Sequence, residues 1–328
     1  MSLFLITLTS CTLLIQDDAV QKAQASADTK LQGKTLEAWL SQLSADDVNE
    51  RLAAAEVLRK GGDKIVAPLC RILKNHDKSE MRREAAEAIG QLGPVAKTGL
   101  GTLFDALKDK EESVRSTAAT VIGSLRIESD RSVPPLMAAL KDESVEVSSA
   151  AAIALGQFGS RAKNAVPMLL ELLKNDDADI RVAAVQGLGG IGPSGGSINT
   201  LIRVLKSDKS PDVRAAAVSA LGEMEQLSQP ILDALLKALK DEDKTVKVAA
   251  IDAIGNFGPG GKAAVGPLIE LLKDNDAEIQ ESCVVTLGQI GPDAQAAVKP
   301  LQELLKKAKP ELRDEINEAI RKIRTKAK

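Results

Sequence analysis

Few residues in this chain could do chemistry. His76 is the only histidine, and it stands in a charged turn, Lys74-Asn75-His76-Asp77-Lys78. Cys70 and Cys283 lie far apart in apolar helical surroundings, where a thiol acts as a small buried hydrophobe rather than a nucleophile or a disulfide partner. Glycines recur as Gly-x-x-Gly, but they close apolar segments, whereas a phosphate loop opens a helix after a strand. They are read as packing glycines. One charged pattern stands out. A basic column (Arg115, Arg181, Arg214, Lys247) follows acidic turns that hold Asp109, Asp177, Asp208 and Asp241. It is read as an internal Asp–Arg ladder, with a phosphate-binding stripe as the alternative. No nucleophile–base pair and no cluster of metal ligands appears, so neither an enzyme nor a resident cofactor or metal is expected.

Composition narrows the field further. The 328 residues carry 43 Lys+Arg and 46 Asp+Glu, a net charge of −3 that gives no general reason to bind nucleic acid. Apolar residues make up 44% and aromatics only 2%, with no tyrosine. Without large aromatic side chains a thick globular core is hard to fill. Many thin helical layers suit this mixture better.

The elements that must carry these residues repeat. Aligning on a basic or polar residue gives Arg51, Arg82, Arg115, Ser148, Arg181, Arg214, Lys247, Gln280 and Arg313; the first interval is 31 and every later one is 33. One position before this column is apolar, the third and fourth after it are mostly Ala, and the seventh is always Leu or Ile. That spacing predicts a helix with one buried face. Asp or Ser stands four residues before the column (Asp47, Ser144, Asp177, Ser210, Asp243, Asp276), where its oxygen can cap free amides. Gly stands eleven after it (Gly93, Gly159, Gly192, Gly258, Gly291), where helices end. A Leu-rich helix, as in Val166–Leu173, fills the rest of each unit.

The unit reads Asp-x-(Val/Ile)-Arg-x-x-Ala-Ala-x-x-(Leu/Ile)-Gly-x-(Leu/Ile)-Gly, shown in full from Asp179 to Pro193. It resembles the HEAT repeat, and most closely the short variety named after phycobilisome lyases. The resemblance implies an all-α, armadillo-type α-solenoid (superhelix) of about nine HEAT-like two-helix repeats over residues 34–328. The N-terminal cap is placed at 34–62, with Trp39 sealing it. The basic C-terminal cap is placed at 306–328, where nine Lys+Arg meet four Asp+Glu for a local charge of +5. Deoxyhypusine hydroxylases resemble the scaffold too, but this chain lacks their several His-Glu iron-binding pairs.

In HEAT-like solenoids the exposed ridge of the Ala-rich helices lines the concave surface. Here that ridge carries Glu56, Glu87, Gln91, Thr120, Gln157, Gln186, Asp252 and Gln289. These residues are expected to grip a partner protein or an extended peptide, which makes the chain a non-enzymatic binding scaffold. The alternative implied by the resemblance is a bilin-lyase-like factor that attaches or detaches a chromophore.

The N-terminus suggests export to the periplasm or outside the cell. Leu3 to Ile15 is an uncharged, mostly apolar run, too short to span a bilayer. With Ala25-Ser26-Ala27 it reads as a signal peptide over 1–27, cleaved before Asp28, with a linker over 28–33. Leu8-Thr9-Ser10-Cys11 leaves a second option open, a lipid anchor on Cys11. Without a signal the chain would stay cytoplasmic.

Overall fold

A computed structural model describes residues 30–43, 45–194, 196–224 and 227–325. The leader, the cleavage motif and Cys11 lie outside them. The chain divides into two compact units, Met1–Gln157 and Phe158–Lys328.

The described part of the first unit opens with a two-residue antiparallel pair, β1 (Lys30–Leu31) and β2 (Lys34–Thr35), a small strand element that the sequence pattern did not announce. Eight helices follow: α1 (Leu36–Leu43), α2 (Val48–Gly61), α3 (Val66–Asn75), α4 (Ser79–Gln91), α5 (Leu100–Ala106), α6 (Glu112–Leu125), α7 (Ser129–Ala139) and α8 (Val145–Gln157). The second unit holds α9 (Val166–Leu172), α10 (Ala178–Ile191), α11 (Ser197–Ser207), α12 (Pro211–Gly222), α13 (Gln229–Ala238), α14 (Lys244–Asn256), α15 (Val265–Leu271), α16 (Ala277–Ile290), α17 (Val298–Lys307) and α18 (Pro310–Arg324). Even-numbered helices from α2 onward are the Ala-rich ones and carry the repeat column; odd-numbered helices are Leu-rich. The fold is the all-α solenoid of stacked helix pairs.

The buried face follows the spacing. At the seventh position Leu58, Ile89, Ile122, Leu155, Leu188, Leu221, Ile254 and Leu287 are fully buried, and Ile320 is 8% exposed. Each such side chain removed from water contributes about 1.5–3 kcal/mol. Within each unit the Ala-rich helices stack on one another (α4 on α6, α6 on α8; α10 through α18 in turn). Small residues set how closely they approach. A Cβ on Gly222 would lie 2.6 Å from the Ala253 Cβ and 3.0 Å from its Cα, so only glycine lets α12 and α14 come this near. The Leu-rich helices keep larger side chains between them. The Ala-rich row is therefore the tighter, inner side of each stack.

Helix ends follow the polar signals in part. Asp47, Asp177, Asp243 and Asp276 accept hydrogen bonds from first-turn amides. Ser210 occupies a cap position without using its side chain, and the Ser144 hydroxyl bonds Glu146 instead. Gly192 takes φ +87° at the end of α10, a left-handed turn that other residues adopt at a cost. Five short 3₁₀ turns, among them Gly93–Gly99 and Gly258–Ala264, lead into the Leu-rich helices. At the start of the first unit Trp39 is 7% exposed. Its indole N–H donates to the Leu31 carbonyl at 2.8 Å, and the Lys34 ammonium stands 4.5 Å from the ring centre.

Candidate functional site: a laddered inner ridge

The charged column forms rungs inside the protein. The Arg181 guanidinium donates through Nε and Nη2 to both oxygens of Asp208, each at 2.8 Å, and through Nη1 to the carbonyls of Asn175 and Asp176. Arg82 pairs with Asp109, Arg115 with Asp142, and Arg214 with Asp241 in the same way, always 27 residues apart. Each aspartate also accepts an amide two residues on, which closes the turn. The guanidinium thus ties its own turn to the next repeat with most of its donors satisfied. Asp177 is not a rung acceptor but the cap of α10, while Asp142, which the spacing did not single out, is one. Lys247 enters no ion pair with a described residue. These arginines are committed to the fold, so the phosphate-stripe alternative loses its cations.

Burial and the rungs act in opposite senses on the aspartates. For Asp109, Asp208 and Asp241, burial pushes the carboxyl up, but the arginine hydrogen bond, the backbone amide and the arginine charge together outweigh it. At Asp142 the Arg115 hydrogen bond is the largest influence. All four therefore titrate below the ordinary value of 3.8.

The ridge residues sit on the inner helices as the spacing implies. In the first unit Glu56 (α2), Gln91 (α4), Thr120 (α6) and Gln157 (α8) are exposed. Glu87 is only half-buried against Arg83, whose Nη1 donates to it at 2.6 Å, and this takes much of its capacity inward. Glu56 holds Lys60 at 2.7 Å, and the Thr120 hydroxyl donates to the Ser116 carbonyl. In the second unit Gln186 (α10), Asp252 (α14) and Gln289 (α16) are exposed. Leu52, Ile153 and Val285 add exposed apolar side chains to these helices.

One stretch of the second unit's ridge is a groove of about 360 Å³. Val248, Ala249 and Ala253 give it an apolar floor, and Glu223, Asp252 and Lys244 stand at its sides. The Lys244 ammonium lies 2.7 Å from Glu278 and 2.9 Å from Asp276, which raises its pKa and pins α14 to α16. Burial pushes the Asp252 carboxyl up, against a hydrogen bond from Ser282. Such a groove can seat the polar side chains of another chain. Among the described residues no group of three or more His, Cys, Asp or Glu could hold a metal ion, and no helix is long and apolar enough to cross a membrane. His76 accepts the Lys78 amide at Nδ1, and its carbonyl accepts Arg82. Cys283 is buried, and burial pushes its thiol up to about 12.

The profile of HEAT repeats matches residues 36–99, 100–181, 166–231 and 232–321. The chain belongs to the HEAT-repeat family. Among solved structures, YibA of Escherichia coli is similar at 21% identity and a TM-score of 0.58, over 86% of this chain and 100% of that one. Importin beta is similar at 16% identity and a TM-score of 0.53, over 87% of this chain and 44% of that one. The complex of CpcE and CpcF of phycocyanin lyase from Nostoc sp. aligns at 20% identity and a TM-score of 0.43, over 77% of this chain and 93% of that one. No curated protein matches the chain. The likenesses to YibA and importin beta are to the fold alone, and a fold does not fix an activity.

Proposed function

We propose that this HEAT-repeat protein is a non-enzymatic scaffold that holds an extended segment of a partner protein along its Ala-rich inner ridge. The observation that carries this reading is the division of labour among the charged and polar residues. The conspicuous arginines are consumed in rungs, while other side chains stay exposed on the Ala-rich helices of each unit, Gln91 and Gln157 in the first and Gln186, Asp252 and Gln289 in the second. Tyr and Trp, the usual interface anchors, are absent from the ridge. Affinity would accumulate over length.

Capture from the native cells tests it. The immobilised chain should retain a partner that the Gln157→Lys/Gln186→Lys/Asp252→Lys variant releases, with helical circular dichroism unchanged. Equal retention by both would refute the ridge. Export belongs to the same proposal: the mature protein should start at Asp28 or at an acylated Cys11, and an intact Met1 in the mass spectrum of the native protein would remove it.

A further inference from the structure

Two of the ridge glutamines are seated differently from the others. A Cβ on Gly123 would lie 2.6 Å from the Gln157 Oε1, and one on Gly255 would lie 2.1 Å from the Gln289 Oε1. Each glutamine thus lays its amide across a glycine of the preceding Ala-rich helix, α8 over α6 and α16 over α14. The oxygen is the end that suits the glycine, because a Cα–H can donate weakly to an oxygen but accepts nothing from an N–H. That leaves the two N–H donors of each amide turned away from the facing helix. Both residues are exposed, and neither Nε2 donates to a described residue.

The same two repeats share a second departure. Five residues after the column the ridge is polar in seven repeats, but in these two Ile153 and Val285 stand there, 39% and 42% exposed. Each lies one helical turn before its glutamine. Gln91, the other glutamine nine residues after the column, has Glu87 one turn before it and Arg59 where the facing glycine would stand. The β-branched side chain, the amide and the facing glycine therefore combine twice, four repeats apart, once in each unit.

Charge narrows what these two stations can hold. α6 and α8 carry no lysine and one arginine, Arg115, which is spent in its rung. On α14 Lys244 is held by Asp276 and Glu278, and Lys247 stands in the rung column rather than on the ridge; α16 has no basic residue. An anion would find no free cation on the ridge of these helices, and in the second unit Asp252 would repel it. Neutral donors of this kind suit a neutral acceptor, and every residue of an extended protein segment offers one in its main-chain carbonyl.

We infer that Gln157 and Gln289 are equivalent clamps, each of which donates an amide N–H to a main-chain carbonyl of the partner segment while Ile153 or Val285 packs on an apolar side chain beside that carbonyl. The inference rests on the scaffold reading and adds the partner's chemistry: a neutral, extended stretch with apolar side chains. The two can fail separately. Lysine at these positions blocks the ridge by bulk and charge, whereas glutamate keeps the shape of glutamine and removes only its donors.

The test uses the full chain with isotope-labelled glutamine and the neutral peptide acetyl-Ser-Val-Ser-Val-Ser-amide. Titration should move the side-chain amide resonances of Gln157 and Gln289 downfield and leave that of Gln302, exposed on the outer helix α17, in place. Gln157→Glu and Gln289→Glu should each weaken peptide binding at its own station at least about fivefold and spare the other. Ile153→Ser and Val285→Ser should act in the same direction. Gly255→Ala, whose Cβ takes the space of the Gln289 Oε1, should silence the Gln289 resonance and spare that of Gln157. Three results would overturn the inference: no shift with the peptide, undiminished binding in both glutamate variants, or the same shifts from inorganic phosphate or maltotriose in place of the peptide. Should Gly255→Ala not fold, the glutamate variants, at exposed positions, decide.

Discussion

The rung arginines matter most at the scale of single residues. The side chains of Arg181 and Asp208 are 5% and 11% exposed, so cutting one away strands the other's charge out of water. Arg181→Ala should lower stability by about 3 kcal/mol in urea unfolding. A loss below about 1 kcal/mol, the range of surface pairs, would show that the rung contributes little. Acid supplies a second handle. Because the four rung aspartates titrate below 3.8 in the folded chain, the unfolded chain takes up their protons first. Their contribution is complete above the ordinary carboxylate value and is lost as the pH falls through their native values. The urea midpoint should therefore drop below about pH 4, and less steeply in Arg181→Ala than in the wild type. Identical slopes would contradict the assignment.

Between elements, glycine sets the spacing. Gly222 faces Ala253 across the α12–α14 contact, so Gly222→Ala must push two backbones apart and should cost about 1–3 kcal/mol. Gly101, in α5, has nothing within 4 Å of the site a Cβ would take, and there Ala should stabilise by about 0.5–1 kcal/mol. Thermal melts of the two variants should move in opposite directions; a common direction would mean that close approach is not what glycine supplies. Much of this was legible in the sequence, because a repeat prints each contact many times. The helix pairs, the closing glycines and the Asp–Arg pairing all follow from residues that recur at a fixed offset. What recurs only once was not legible. The Lys30–Thr35 strand pair depends on a local meeting with Trp39, and the inward turn of Glu87 depends on Arg83. The serine caps misled because a short hydroxyl can bond elsewhere, as Ser144 does with Glu146.

For the whole molecule, function follows from what repetition leaves over. Each helix pair spends its apolar face on its neighbours, four of them spend an arginine on the ladder, and the proposed function assigns the inner ridge to a partner. The central claim is that a partner lies on the Ala-rich side and not on the Leu-rich side. Photoreactive amino acids placed one at a time make that claim measurable, at Gln186 and Asp252 on the inner helices and at Glu171 and Lys237 on the outer ones, all four exposed. Illumination with the captured partner should give covalent adducts from Gln186 and Asp252 and none from Glu171 or Lys237. Adducts arising only from the outer positions, or equally from both sides, would contradict the account.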